Sequence, residues 1–300
     1  MNLLNISNLQ TFNVKNRNIF RIFAFNIVLK RLFIILAAIF LLFESQAQTR
    51  KRNFRQHEIG IFLGGAYYIG DLNPTRQFFL SQPAGGIFYR FTPNYRYAFR
   101  TGFNFGSIMG DDSQSEDADQ RQRNLNFKSR IIEHYLIAEF NFLEYRISND
   151  KYKFSMYIFA GIDGFYFNPQ GNLGGGHWED LRPLRTEGET KKYRLWQIGV
   201  PFGLGFKINV SKAIGLGLEW GPRKTWTDYL DDVSGTYPDP NINPPNGSAG
   251  ALYSNRTRGA GDVINTQRGN PRTKDWYFFY GITLNIKLAS PKQPCYSIGM

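Results

Sequence analysis

The residue types that carry most protein chemistry are thin in this chain. It has three histidines, His57, His134 and His177, and one cysteine, Cys295. A lone cysteine excludes an intramolecular disulfide and a zinc site built on thiolates. No HExxH pair occurs, so the two-histidine face of a zinc hydrolase is missing. A Ser/His/acid hydrolase needs a histidine within reach of a serine and an acid. His177, next to Trp178, has no serine recognisably placed with it. The triplets Gly203-Leu-Gly205 and Gly215-Leu-Gly217 echo phosphate loops. A phosphate loop joins a strand to a helix, whereas these glycines lie inside alternating apolar stretches. Residues 110–120, GDDSQSEDADQ, carry five acids and could hold a divalent cation. They lack EF-hand spacing, so a solvated acidic loop is the better reading. No catalytic residue, metal ligand or cofactor is assigned, and the chain reads as non-enzymatic.

One set of charges is more ordered: Glu58, Arg90, Arg100, Glu133, Glu139, Asp163, Lys207, Glu219 and Lys287. Each stands an odd number of residues from large apolar neighbours in a stretch that alternates with period two. Such a charge sits on the opposite face of an extended strand from those neighbours. If the apolar face meets lipid, the charges line an interior, where five acids and four bases can pair. In a narrow barrel the expectation is a structural network that closes the bore rather than an ion path, because buried ionic groups most often satisfy one another.

The elements that must position these charges are set by residues 193–208, YRLWQIGVPFGLGFKI. From Trp196, every second residue is large and apolar, and Gln197, Gly199, Pro201, Gly203, Gly205 and Lys207 fall between. A soluble strand averages roughly 5–6 residues, and a tilted membrane strand needs about 9–11. The same pattern recurs at 56–69, 84–91, 96–108, 127–143, 152–167, 213–229 and 275–288, which gives about eight strands. Connections alternate between long (70–83, 109–126, 168–192, 230–274) and short (92–95, 144–151, 209–212). That alternation predicts an all-β, antiparallel up-and-down transmembrane barrel, with long loops outside the cell and both termini in the periplasm. Within the last long loop, 239–269 is rich in Pro, Gly, Asn and Ser and reads as flexible.

Composition agrees. The 300 residues carry 30 glycines, 16% aromatics and a net charge of +12. Basic residues form no single stripe and no nucleic-acid motif is present, so the charge does not point to nucleic acid. Residues 30–48 read KRLFIILAAIFLLFESQAQ, two positive charges and an apolar run ending in small residues. This is a secretory signal peptide cleaved after Ala47, within a leader 1–47. The expected domain order is then a short segment 48–55, the outer-membrane barrel 56–288 and a periplasmic tail 289–300.

Segments at 66–73 (AYYIGDLN), 123–139, 161–169, 181–190 and 221–237 together resemble the PorG-like outer-membrane barrels of the Bacteroidota. The most specific part is the TDYLDDVS core, Thr227, Asp228, Tyr229, Leu230, Asp231, Asp232 and onward, with Gly70 and Asp71 in the first loop. The resemblance implies a component of the type IX protein secretion system, related to gliding motility. It would dock a periplasmic ring of PorK/PorN-like proteins while embedded in outer-membrane lipid. Topology then nominates the short turns, with Arg146, Lys151 and Lys212, as periplasmic contacts. A general small barrel of the OmpX or OmpW kind, serving adhesion or hydrophobe passage, is the alternative. The acids of the TDYLDDVS core are expected to cap the barrel mouth by hydrogen bonding.

Overall fold

The computed structural model describes residues 55–147, 153–258 and 263–288. The expected leader 1–47, residues 48–54, Lys151 and the tail 289–300 lie outside the described residues.

Eight long strands run antiparallel: β1 (Gln56–Ile69), β2 (Gln82–Thr92), β3 (Tyr97–Asp111), β4 (Asn126–Asn141), β5 (Phe154–Gly171), β7 (Trp196–Asn209), β8 (Ile214–Thr225) and β9 (Trp276–Lys287). Each pairs with its neighbour in the chain, and β9 pairs back onto β1 from Glu58↔Lys287 to Ile69↔Trp276. The sheet is therefore closed and leaves no free edge, as hydrocarbon requires. A two-residue strand, β6 (Glu179–Asp180), adds to the end of β5.

Strand ends differ from expectation for identifiable reasons. β7 begins at Trp196 rather than residue 193, with one further bond from the Phe167 N–H to the Leu195 carbonyl, and β6 takes over beside Gln170 and Gly171. β8 stops at Thr225 rather than 229, where the Thr225 hydroxyl donates to the Asp275 carbonyl at 2.6 Å and the chain turns into the mouth.

Side chains alternate faithfully. Along β4, buried and exposed residues follow one another from Phe127 to Phe140. Leu63, Ile162, Trp196 and Ile198 are 60–67% exposed on the outer face. A continuous apolar outer wall on a closed barrel is the surface that hydrocarbon, not water, must cover. Phe278 departs from the exposure its parity predicts. It is outward yet 7% exposed, because Tyr67 stacks flat on it (4.5 Å, 8°) and Trp220 lies 5.8 Å away. The Trp220 indole donates to the Tyr67 hydroxyl, which donates in turn to Gln77. The segment after β1 thus crosses the outer wall here.

Inside, aromatic rings enter where glycine makes space. A Cβ on Gly60 would fall 2.1 Å from the Phe88 ring, and one on Gly205 would fall 2.3 Å from the Tyr157 ring. Long connections (70–81, 112–125, 172–195, 226–275) gather at one end and short ones (93–96, 142–153, 210–213) at the other. These are called below the long-loop end and the short-turn end.

Candidate functional site

The strand alternation brings the charged set to the inner face, and most of it into one network. Glu139 on β4 is its hub, with Arg90 Nε at 3.1 Å, Arg100 Nε at 3.2 Å and Lys207 Nζ at 3.2 Å. Arg90 also reaches Glu58 at 2.8 Å and the Asn285 side-chain carbonyl at 2.9 Å. Arg100 reaches Glu219 at 2.7 Å, and Tyr157 donates its hydroxyl to Glu219 at 2.7 Å. Above this layer the Arg100 guanidinium lies 5.0 Å from the Phe88 ring and 5.5 Å from the Tyr135 ring.

A second group forms nearer the long-loop end. Glu133 accepts from Arg223 Nε at 3.0 Å, Tyr277 at 2.9 Å and Asn104 at 3.1 Å. Asp163 joins through Tyr277 (3.3 Å) and makes no ion pair among the described residues. Lys287 also stands apart, its ammonium donating to the Ile147 carbonyl at 3.2 Å. Arg223 is the member that the sequence reading missed. It falls two inward positions beyond Glu219 on β8, and following the alternation through Gly221 and Pro222 would have found it.

At the short-turn end, where residues 146–151 are expected as contacts, the described part of the turn is drawn inward: Tyr145 and Ile147 fold into the bore at 3% and 1% exposure, and residues 148–151 lie outside the described residues. The Tyr145 ring lies 5.3 Å from Lys207 Nζ, and Gly215 leaves room for its hydroxyl. An apolar pair in a turn beneath buried charges gains more from covering them than from facing water. Arg146 is half-buried and pairs with Glu144 at 2.6 Å, whereas Lys212 is exposed.

At the long-loop end the TDYLDDVS segment enters the mouth. Leu230 and Val233 are buried in one cluster with Tyr68, Phe127, Phe165 and Phe167. Tyr68 donates to Asp231 at 2.5 Å and lies 3.0 Å from Asp275, whose other oxygen accepts the Leu230 N–H at 2.9 Å. Asp232, in the left-handed region at φ 65°, accepts from Thr186 and, at 2.6 Å, from Tyr193. Asp228 accepts from Ser234 at 2.7 Å, and Thr227 and Tyr229 complete the turn. The other loops tie to it. Glu187 holds Arg268 at 3.0 Å and the Ser234 N–H at 2.9 Å. Arg123 clamps Asp112 at 2.8 Å and the carbonyls of Asp71 and Arg268. The Asp71 carboxylate accepts the Asn270 N–H, and Gly70 pairs with Asn73.

Two expectations about these loops change. Parts of segment 239–269 are built into the cap: Tyr253 and Arg268 are buried and a short helix, α2 (Gly247–Ser254), follows α1 (Ala118–Arg123) in the chain, while residues 259–262 lie outside the described residues. Its partners are distant in sequence, so composition could not reveal them. In the acidic stretch 110–120, Asp112 is fully buried against Arg123 rather than solvated. His177 sits exposed, 3.1 Å from Glu179.

A family model described as a domain of unknown function, DUF6089, matches residues 30–244, which include β1 to β8 and the whole cap motif. The chain belongs to the DUF6089 family. No curated protein matches it. Solved structures similar to this DUF6089 chain include Ail of Yersinia pestis in complex with the heparin analogue sucrose octasulfate. That match has 10% identity over 78% of this chain and 99% of Ail, with a TM-score of 0.38. The N-terminal β-barrel domain of OprF from Pseudomonas aeruginosa matches at 9% identity over 78% of this chain and 100% of its own, with a TM-score of 0.32. Neisserial surface protein A matches at 9% identity over 78% and 97%, with a TM-score of 0.35.

In the DUF6089 cap the aspartates Asp71, Asp231, Asp232 and Asp275 are displaced toward their neutral forms. Burial pushes Asp232 up to about 7, against the opposing pull of Arg268. Burial likewise takes Asp71 to about 6. Asp231 and Asp275 are raised well beyond the usual carboxylate range, first by burial and then by neighbouring carboxylates. No group of three or more His, Cys, Asp or Glu among the described residues is arranged to hold a metal.

Proposed function

We propose that this outer-membrane barrel is a closed, non-enzymatic anchor of the type IX protein secretion system. Its long loops lie outside the cell and its short turns in the periplasm, where it docks a PorK/PorN-like ring. The observation that carries this reading is a bore filled along its length, from Tyr145 and Ile147 through the Glu139 hub to Leu230 and Val233. A barrel so filled cannot conduct a folded cargo, and it offers rigidity instead. The sequence resemblance in the TDYLDDVS core supplies the secretion system. On this reading the periplasmic contacts are Lys212, the exposed part of the 93–96 turn and the rim around Arg146.

The experiment is a clean deletion followed by measurement of type IX cargo in the medium. Loss of export restored by the wild-type gene supports the anchor, and normal export removes the assignment. One observation favours the alternative of an adhesion barrel: a recess of about 740 Å³ in the long-loop cap, lined by Asp71, Gln120, Arg123, Tyr237 and Arg268. Replacing Asp119 and Gln122, two exposed residues that line the recess, by alanine separates the two. The anchor reading expects export to persist, while the adhesion reading expects surface attachment to fail.

A further inference from the structure

We propose that the wall formed by β4, β5 and β7 carries, at its long-loop rim, a site for the phosphate of a phosphorylated lipid, built by Arg130 and Arg194 on either side of Asn168. The inference rests on the part of the proposed function that sets this wall in a membrane.

The register places the three residues in one row. Arg130 pairs with Asn168 across β4 and β5, and Tyr166 pairs with Trp196 across β5 and β7. The Phe167 N–H donates to the Leu195 carbonyl at 3.1 Å, which carries the pairing on so that Arg194 stands opposite Asn168. All three point outward, because their neighbours Ser129, Ile131 and Phe167 are buried inside and Tyr193 stacks on Phe167. Two strand spacings separate the arginines, about 10 Å. Two long guanidinium side chains can close that distance on one phosphate, which they bind bidentately.

These cations differ from others at the same end. Arg123 is paired with Asp112, Arg268 with Glu187 and Lys274 with Asp228, and Lys224 lies over the Trp276 ring. Arg130 and Arg194 are exposed and have no ion pair among the described residues, nor does Lys128 one row above. The nearby acid, Asp180, is engaged by the amides of Asn168 and Gln170 at 2.9 and 2.8 Å. Three cations against one acid leave the patch positive.

The rows beneath identify the ligand as a lipid rather than a free anion. Directly below lie Ile132, Tyr166 and Trp196, the two rings 5.4 Å apart, in the position of an interfacial aromatic belt. One row lower is Gly164, between His134 and Ile198, where an added Cβ would meet nothing within 4 Å. Gly164 therefore leaves a notch in the apolar wall below the cationic row, matching a phosphate headgroup above an acyl chain.

The test uses the folded mature protein in mixed vesicles containing either bisphosphorylated lipid A or the same lipid with its phosphates removed, with binding read by native mass spectrometry and Trp fluorescence. Wild type should prefer the phosphorylated lipid. Neutralising the rim with Arg130→Gln and Arg194→Gln should weaken binding about fivefold for each arginine. Lys153→Gln, an exposed cation at the other end, should change nothing. Gly164→Leu keeps every charge and should also weaken binding by filling the notch. Equal binding of the two lipids, or indifference to the double substitution, overturns the proposal. So does displacement of the lipid by millimolar inorganic phosphate, which would mark a free-anion site. Heat-modifiable migration of each protein on gels is scored in parallel, so that loss of the barrel reading and loss of lipid selectivity are told apart.

Discussion

At the short-turn end, one turn closes the bore with two side chains, Tyr145, whose ring faces Lys207, and Ile147, whose carbonyl accepts from Lys287. At the long-loop end four connections converge, and Leu230 and Val233 go in together with Asp231, Asp232 and Asp275. The first closure is local and mostly apolar. The second is distributed and depends on carboxyl groups whose partners, such as Tyr68 on β1 and Thr186 and Tyr193 in the connection 172–195, come from other segments. The lower plug should therefore behave as part of the barrel, while the cap should open on its own and respond to its surroundings.

The largest test of that contrast removes what the two ends share. Glu139→Ala leaves Arg90, Arg100 and Lys207 without their common carboxylate, and stranding buried charges costs about 3–5 kcal/mol. Urea unfolding should shift for the whole barrel, with cap and plug lost together. Leu230→Ala acts on the cap alone. A buried leucine truncated to alanine costs about 2–5 kcal/mol. Amide exchange in 226–275 should accelerate while the strand ladders keep their protection.

Proton linkage gives a smaller effect confined to the same end. Asp232 titrates near 4 in an unfolded chain and about 7 in the cap, so the folded cap binds more protons in between. Its contribution to stability is fully present below about pH 4 and is lost as pH rises through about 7. Exchange protection in the cap, corrected for intrinsic rates, should fall from pH 5 to pH 8, and Asp232→Asn should flatten that fall. The turn around Tyr145 should show no such trend. The smallest effect is expected for Lys212→Glu, an exposed turn residue worth no more than about 0.5 kcal/mol in a melt.

What could be read in the sequence followed from a single physical rule. Period-two alternation over long stretches was enough for eight strands and for the inward charges from Glu58 to Lys287, since lipid on one side leaves charge one place to go. β1 has the expected ends, Gln56 and Ile69, and its burial alternates from Gln56 to Leu63 before the loops cover both faces. Arg223 escaped because Gly221 and Pro222 interrupt the apolar pattern, although not the pleat. Tyr145 and Ile147 were hidden because a turn has no periodicity to assign a face. The cap motif could be seen as a motif, but its burial could not. Arg268 finds Glu187 and Arg123 finds Asp112 only after the barrel brings the loop bases together. Such pairings depend on closure, not on local composition.

The bore is shut along its length by these side chains. Single-channel recording of the purified wild-type barrel in a planar bilayer tests this directly. No steady conductance is expected at neutral pH. A stable stepwise current through the wild-type protein would show an open path past Glu139 and contradict it.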